Sequence, residues 1–244
     1  SSDLAWAGNI IGWRAVMILI AGLAMVALIV VLVFVRDRSA GTQVSFGHLF
    51  SAITQKKSGL TVLTTLLQMA AMLSTYALIA PYMVHKFDVA PDDVFILLFV
   101  YGGCGILGNI IAGRLSDRMG PDKVIWLGLA GSILTFLILL VIGPSMVIGL
   151  AVLCVWSVTG MIFHTPQQQR IVAIAGEQRS LLLALNASAL YLGMSFGSWM
   201  SRQASVEWGY ESLPAFSAAL MVLCALVFFA SQKSLKKASV STED

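Results

Sequence analysis

The sequence predicts an all-α, polytopic membrane protein with about seven transmembrane helices. Three observations carry this. The 244-residue chain is 58% hydrophobic and only 11% charged. Soluble domains sit nearer roughly 45–50% apolar and about 25% charged, so too few charges remain here to cover a water-facing surface. Mean hydropathy is +0.88. The apolar residues are also gathered into seven runs long enough to cross a bilayer, and none of the seven contains Lys, Arg, Asp or Glu.

The runs occupy residues 15–35, 60–84, 94–113, 124–143, 146–169, 180–201 and 213–232. A crossing helix needs about 20 mostly apolar residues. Backbone polar groups in hydrocarbon must be satisfied within the segment, so the runs are expected to be helices. Barrel strands would be about half as long. Basic residues set the orientation. With the first residues outside, twelve Lys and Arg residues fall on the inner segments and three (Arg14, Lys86 and Arg202) on the outer ones. The expected C-terminus is therefore cytoplasmic. The chain opens at Ser1 with no signal-peptide pattern, which predicts a fragment of a longer chain.

The longest connection, 36–59, is expected on the cytoplasmic side. Its apolar cluster Phe46, Leu49, Phe50 and Ile53 has the spacing of an interfacial helix. It divides the chain into one span (1–35), the loop, six spans (60–232) and a cytoplasmic tail (233–244).

The motif with the most chemical content lies between the third and fourth spans: Gly113, Arg114, Leu115, Ser116, Asp117, Arg118, Met119, Gly120, Pro121, Asp122 and Lys123. Gly120 permits a positive φ in a turn. Asp117 is an anion at a helix end, suited to an arginine or a helix N-terminus. The expected partner is Arg170, at the inner end of the fifth span, making a latch on the cytoplasmic side. The alternative is a tight basic loop that only sets topology.

This stretch resembles the signature loop of the major facilitator superfamily, G-x-L-[AGS]-D-[RK]-x-G-R-[RK]-x. Gly113, Leu115, Ser116, Asp117, Arg118 and Gly120 fit. Pro121 and Asp122 depart from the usual basic pair, while Lys123 keeps one positive charge. These departures suit the looser second copy, between helices 8 and 9. Other stretches resemble the drug–proton antiporter and sugar-efflux branch in order: Gly12, Trp13 and Arg14 before helix 6, Tyr76 to Tyr82 in helix 7, Leu185 to Gly193 in helix 11, and Gly209 to Pro214 before helix 12. The resemblance implies helices 6–12 of such a transporter, without helices 1–5. It implies proton-coupled efflux of a small molecule (drug, sugar or nucleoside) by alternating access in a bacterial inner membrane, with a separate N-terminal half as partner.

Polar residues within the spans are few. Gln68 and Asn186, with Tyr76 and Tyr191, are candidates to line a substrate cavity; the alternative is hydrogen bonding between helices. His164 could take part in proton transfer, or could be an interfacial histidine beside Pro166. Pro166 and Pro81 should kink their helices. The stripes Ala189, Gly193, Gly197, Ser201 and Gly105, Gly108, Ala112 are expected to let helices approach closely. Cys104, Cys154 and Cys224 are widely spaced in apolar runs, supporting neither a disulfide framework nor a metal site. No span holds a carboxylate, and no nucleotide-binding or hydrolase motif is present. No enzymatic activity, cofactor, metal or nucleic-acid partner is expected. Two further readings stay open: a transport-incompetent half that assembles with a separate partner, and, more remotely, a seven-helix receptor.

Overall fold

A computed structural model describes the backbone of residues 3–34 and 54–240. The chain forms two compact units, residues 1–43 and 44–244. The first contains one long helix, α1 (Asp3–Phe34), which continues well to the N-terminal side of the expected span and takes in Arg14. The interfacial helix expected around Phe46 to Ile53 lies outside the described residues.

The second unit is built from helices joined by short links among its described residues. Its helices are α2 (Lys56–Tyr76), α3 (Ile79–Phe87), α4 (Val94–Met119), α5 (Pro121–Val141), α6 (Met146–Ile162), α7 (His164–Ala175), α8 (Arg179–Trp208) and α9 (Leu213–Val240). Short 3-10 turns at Pro91–Asp93, Gly176–Gln178 and Tyr210–Ser212 lead into α4, α8 and α9. Six segments are long and apolar enough to cross a membrane: Lys57–Tyr76, Pro91–Met119, Pro121–Val141, Met146–Ala175, Arg179–Trp208 and Tyr210–Leu235. The apolar stretch of α1, Ile18–Phe34, is shorter. The protein is thus an all-α polytopic membrane protein.

Two prolines divide what the sequence presents as single spans. Pro81 lacks an N–H and its ring crowds the carbonyl four residues back. That residue is Ala77, and α2 gives way to α3 across Ala77 and Leu78. Leu78 leaves helical geometry at φ −119°, ψ 32°. Pro166 acts at Ile162 in the same way, and α6 ends there. Phe163 keeps helical angles, φ −67° and ψ −38°, so this interruption changes the chain direction less. Beyond each proline the ladder resumes at once, with Tyr82 N–H donating to Leu78 O at 3.0 Å and Gln167 N–H to Phe163 O at 3.1 Å.

Helix α2 is the centre of the unit and packs mainly on α8 and α9. Its buried face is built from small and hydroxyl side chains, including Thr61, Thr64, Thr65, Ala70, Ala71, Ser74 and Thr75. Thr61, Thr64 and Ser74 each return a hydrogen bond of 2.8 Å to the carbonyl four residues earlier, so their hydroxyls are satisfied without water. The glycines of α8 complete this contact. A Cβ at Gly193 would collide with the carbonyl of Leu66, and one at Gly197 with that of Ala70. Small faces of this kind let helix backbones touch in a solvent that gives no hydrophobic drive to pack.

Outward from the break in α2–α3 the core is aromatic. Trp156 is fully buried, with ring centroids 5.5 Å from Tyr101, 5.2 Å from Phe136 and 6.2 Å from Tyr76. The contacts are edge-on, the arrangement favoured by the ring quadrupoles. The indole N–H is directed at the Met72 sulfur at 3.2 Å.

Candidate functional site

The segment expected as a loop is mostly helix. Helix α4 runs through Met119 and α5 starts at Pro121, so Gly120 alone joins them. Its φ of 84° and ψ of 153° lie in a region that side chains disfavour, which explains the glycine. Its N–H donates to Ser116 O at 2.9 Å and closes α4, while Pro121 opens α5 at a position where no donor is needed. Gly113 has open space around it. Leu115 packs on Ala112, Val124 and Ile162. Ser116 is buried and donates to Gln169 Oε1.

The pairing of Arg170 differs from the sequence expectation. Its carboxylate neighbour is Asp122, with Nε 3.2 Å from Oδ1, and not Asp117. The cause is the continued helix. Ser116 takes the face of α4 directed at α7, which leaves Asp117 and Arg118 exposed. The turn at Gly120 then brings Asp122, in the first turn of α5, over the guanidinium. Arg170 is only 3% exposed. Its Nη2 donates to Ser231 Oγ at 2.9 Å, and the guanidinium lies 4.8 Å from the Phe228 ring centroid. Nε meets Asp122 as an ion pair without a hydrogen bond, and Nη1 has no protein partner among the described residues. Arg170, Asp122, Lys123 and Gly120 line a cleft of about 340 Å³ that opens beside α9.

From Arg170 a chain of hydrogen bonds runs into the bundle. Ser231 Oγ lies 3.1 Å from Thr61 Oγ1. Thr61 Oγ1 already donates to Lys57 O, so Ser231 is the donor in this contact. Gln167 Nε2 donates to Thr61 O at 2.8 Å and to Thr65 Oγ1 at 3.1 Å. Thr65 Oγ1 in turn donates to Asn186 Oδ1 at 2.6 Å. One connected set thus joins α5, α7, α9, α2 and α8. Deeper in, Gln68 Nε2 reaches Gly160 O at 3.4 Å, while Gln68 Oε1 and Gln167 Oε1 have no protein partner.

The four cavity candidates do not converge within this unit. Gln68 and Asn186 are 1% and 7% exposed and bond between helices. Tyr76 is half-buried in the aromatic group, its ring 5.0 Å from Tyr101. Tyr191 is 66% exposed, on a side of α8 turned away from Asn186. His164 opens α7, half-buried, its ring 5.8 Å from Phe163 and outside the hydrogen-bonded set. Sequence reasoning missed Thr61, Thr65, Ser231 and the pairing role of Asp122. Thr61, Thr65 and Gln68 follow at helical spacing, and that polar stripe was the available signal.

The match to known sequences settles the family. The profile of the Major Facilitator Superfamily matches residues 4–173 and 60–244. The chain belongs to this superfamily. It is 25% identical over 233 residues to "Inner membrane transport protein YdhP" of Escherichia coli O157:H7, and equally to the protein of that name in Escherichia coli strain K12. Each alignment covers 93% of this chain but 59% of the relative, so the chain spans about three-fifths of the length of the relatives it matches. In this major facilitator chain, the signature stretch ends in a hairpin whose second arm carries the carboxylate for Arg170.

Proposed function

We propose that this chain is the part from helix 6 to helix 12 of a secondary transporter that moves small molecules across a bacterial inner membrane, by proton-coupled efflux through alternating access. The observation that carries the proposal is the hydrogen-bonded set from Asn186 to the Arg170–Asp122 pair. It is a buried, ionisable group tied to helices that would move together as one bundle, in a chain of this family. Polar and charged groups at membrane depth are costly and are kept where they serve a pathway or a switch. Gly113, Leu115, Asp117, Arg118, Gly120, Lys123 and Arg170 would form the conformational latch, with Asp122 as the carboxylate of the pair. Gln68, Tyr76, Asn186 and Tyr191 would contribute to the half-site, and His164 is the candidate for a proton-linked role. The basic-residue bias supports a cytoplasmic position for the latch and the C-terminus. A drug, sugar or nucleoside would be the cargo.

The test uses the full-length coding sequence in an efflux-deficient host. Proton-driven export of one compound from a panel of drugs, sugars and nucleosides is expected, abolished by a protonophore. No export of any panel member, with the protein present in the membrane, would overturn the reading.

The length match favours a second reading for the polypeptide itself. A chain spanning 59% of its relatives would lack one wall of the pathway, and alone would be transport-incompetent until joined by an N-terminal half. Reconstituting it alone should give no flux.

A further inference from the structure

We infer that the cleft between the start of α5, the end of α7 and α9 is a site for one phosphodiester group, that of a monoanionic glycerophospholipid. Its position points to a lipid. The charge-free runs of these spans are 124–143, 146–169 and 213–232. Asp122, Lys123, Arg170 and Leu235 line the cleft, and each lies within three positions of an end of one of those runs. In a bilayer that is the level where hydrocarbon gives way to headgroups.

Two kinds of donor are built into the cleft. Arg170 lines it while only 3% exposed. Asp122 holds its Nε and Ser231 its Nη2, which leaves Nη1 as the donor still to be satisfied. A buried donor left unmade is costly, so an acceptor is expected to meet it. The second kind is the first turn of α5. Gly120, Pro121, Asp122 and Lys123 all line the cleft, and no side chain caps this 21-residue helix. The N–H groups of Asp122 and Lys123 have no partner within the helix. They and the positive end of the helix dipole favour an anion in the same space.

Charge and shape select the ligand. Arg170 and Lys123 are cations and Asp122 is an anion, so the lining carries one positive charge in excess. A phosphodiester has one negative charge and matches it. A phosphomonoester carries about two, and its surplus would face the Asp122 carboxylate. Met119, Pro121, Ala173, Ile174 and Leu235 supply apolar walls, which suit glycerol and the first methylenes of a lipid better than a free ion. The volume of about 340 Å³ is that of a small ligand site. Retention of such a lipid is independent of cargo, so this inference stands or falls apart from transport.

The test uses the full-length protein, stripped of lipid in detergent and offered an equimolar mixture of phosphatidylglycerol and phosphatidylcholine. Native mass spectrometry counts the lipids retained. Wild type is expected to retain phosphatidylglycerol in preference. Ala173→Trp fills the cleft without changing its charge and should lose one copy. Lys123→Gln, at an exposed position, should weaken retention of that copy roughly fivefold. Arg114→Gln removes an exposed charge outside the cleft and should leave retention unchanged. Soluble glycerophosphoglycerol and inorganic phosphate should not displace the lipid. Displacement by either would overturn the lipid assignment in favour of a free phosphate. Equal retention by wild type, Ala173→Trp and Lys123→Gln would overturn the site. So would equal losses in Lys123→Gln and Arg114→Gln, the mark of a diffuse basic surface.

Discussion

Arg170 shows how a single buried cation is kept in a membrane helix. Its charge meets the Asp122 carboxylate, the Ser231 hydroxyl and the Phe228 ring, one from α5 and two from α9. A buried charge that loses its partner is strongly destabilising, whereas removing both members of a pair is often tolerated. Asp122→Asn should therefore reduce transport by the full-length protein more than the double variant Asp122→Asn with Arg170→Gln, measured as export rate at equal membrane abundance. Equal rates would place the pair outside the switch. Thr65→Val tests the other end of the set. It leaves Asn186 Oδ1 without its donor and Gln167 Nε2 without one acceptor. An unmade buried hydrogen bond costs about 1–3 kcal/mol, so the detergent-solubilised protein should melt at a lower Tm, with Thr65→Ser close to wild type. Residue chemistry was only half legible from the sequence. Arg170 and Asn186 stand out as polar residues among apolar ones. Their partners do not, because Thr61 and Ser231 are separated by 170 positions and only the fold joins them.

Between helices, the contact of α2 with α8 brings the glycines of one helix against the backbone of the other. Gly193 and Gly197 rest on carbonyl oxygens of α2, which cannot move without breaking the helix. Overpacking of a core costs about 1–3 kcal/mol, occasionally more. Gly193→Val should therefore lower Tm and the yield of monodisperse protein, while Gly113→Ala, facing open space, should change neither. The helices themselves were legible because charge-free runs of bilayer length leave few alternatives. Small-residue spacing pointed to the α8 contact for the same reason. Helix ends were not legible. The sequence places a loop where α4 continues for six residues beyond Gly113, since Arg114, Asp117 and Arg118 look like loop residues to a hydropathy argument. In three dimensions they form the polar last turns of a helix that emerges from the apolar layer. That difference moved the arginine's partner from Asp117 to Asp122.

For the whole molecule, the family assignment carries the fold, and the chain spans about three-fifths of the length of the relatives it matches. If α1 closes a first bundle and the helices from α2 to α9 make the second, the halves should complement each other. Co-expression of this chain with an upstream segment encoding five further spans should restore export in the deficient host, with neither piece active alone; activity from this chain alone would refute the two-bundle requirement. The junction at Gly120 bears on how α4 and α5 are coupled. One residue separates the two helices, although their charge-free runs, 94–113 and 124–143, lie ten residues apart. The tip at Gly120 thus stands beyond the apolar layer, where a one-residue turn fixes the spacing of the two arms. Lengthening the tip with a flexible glycine–serine insert would uncouple the two arms, and cleavage by trypsin at the tip should then be faster than in the unaltered chain.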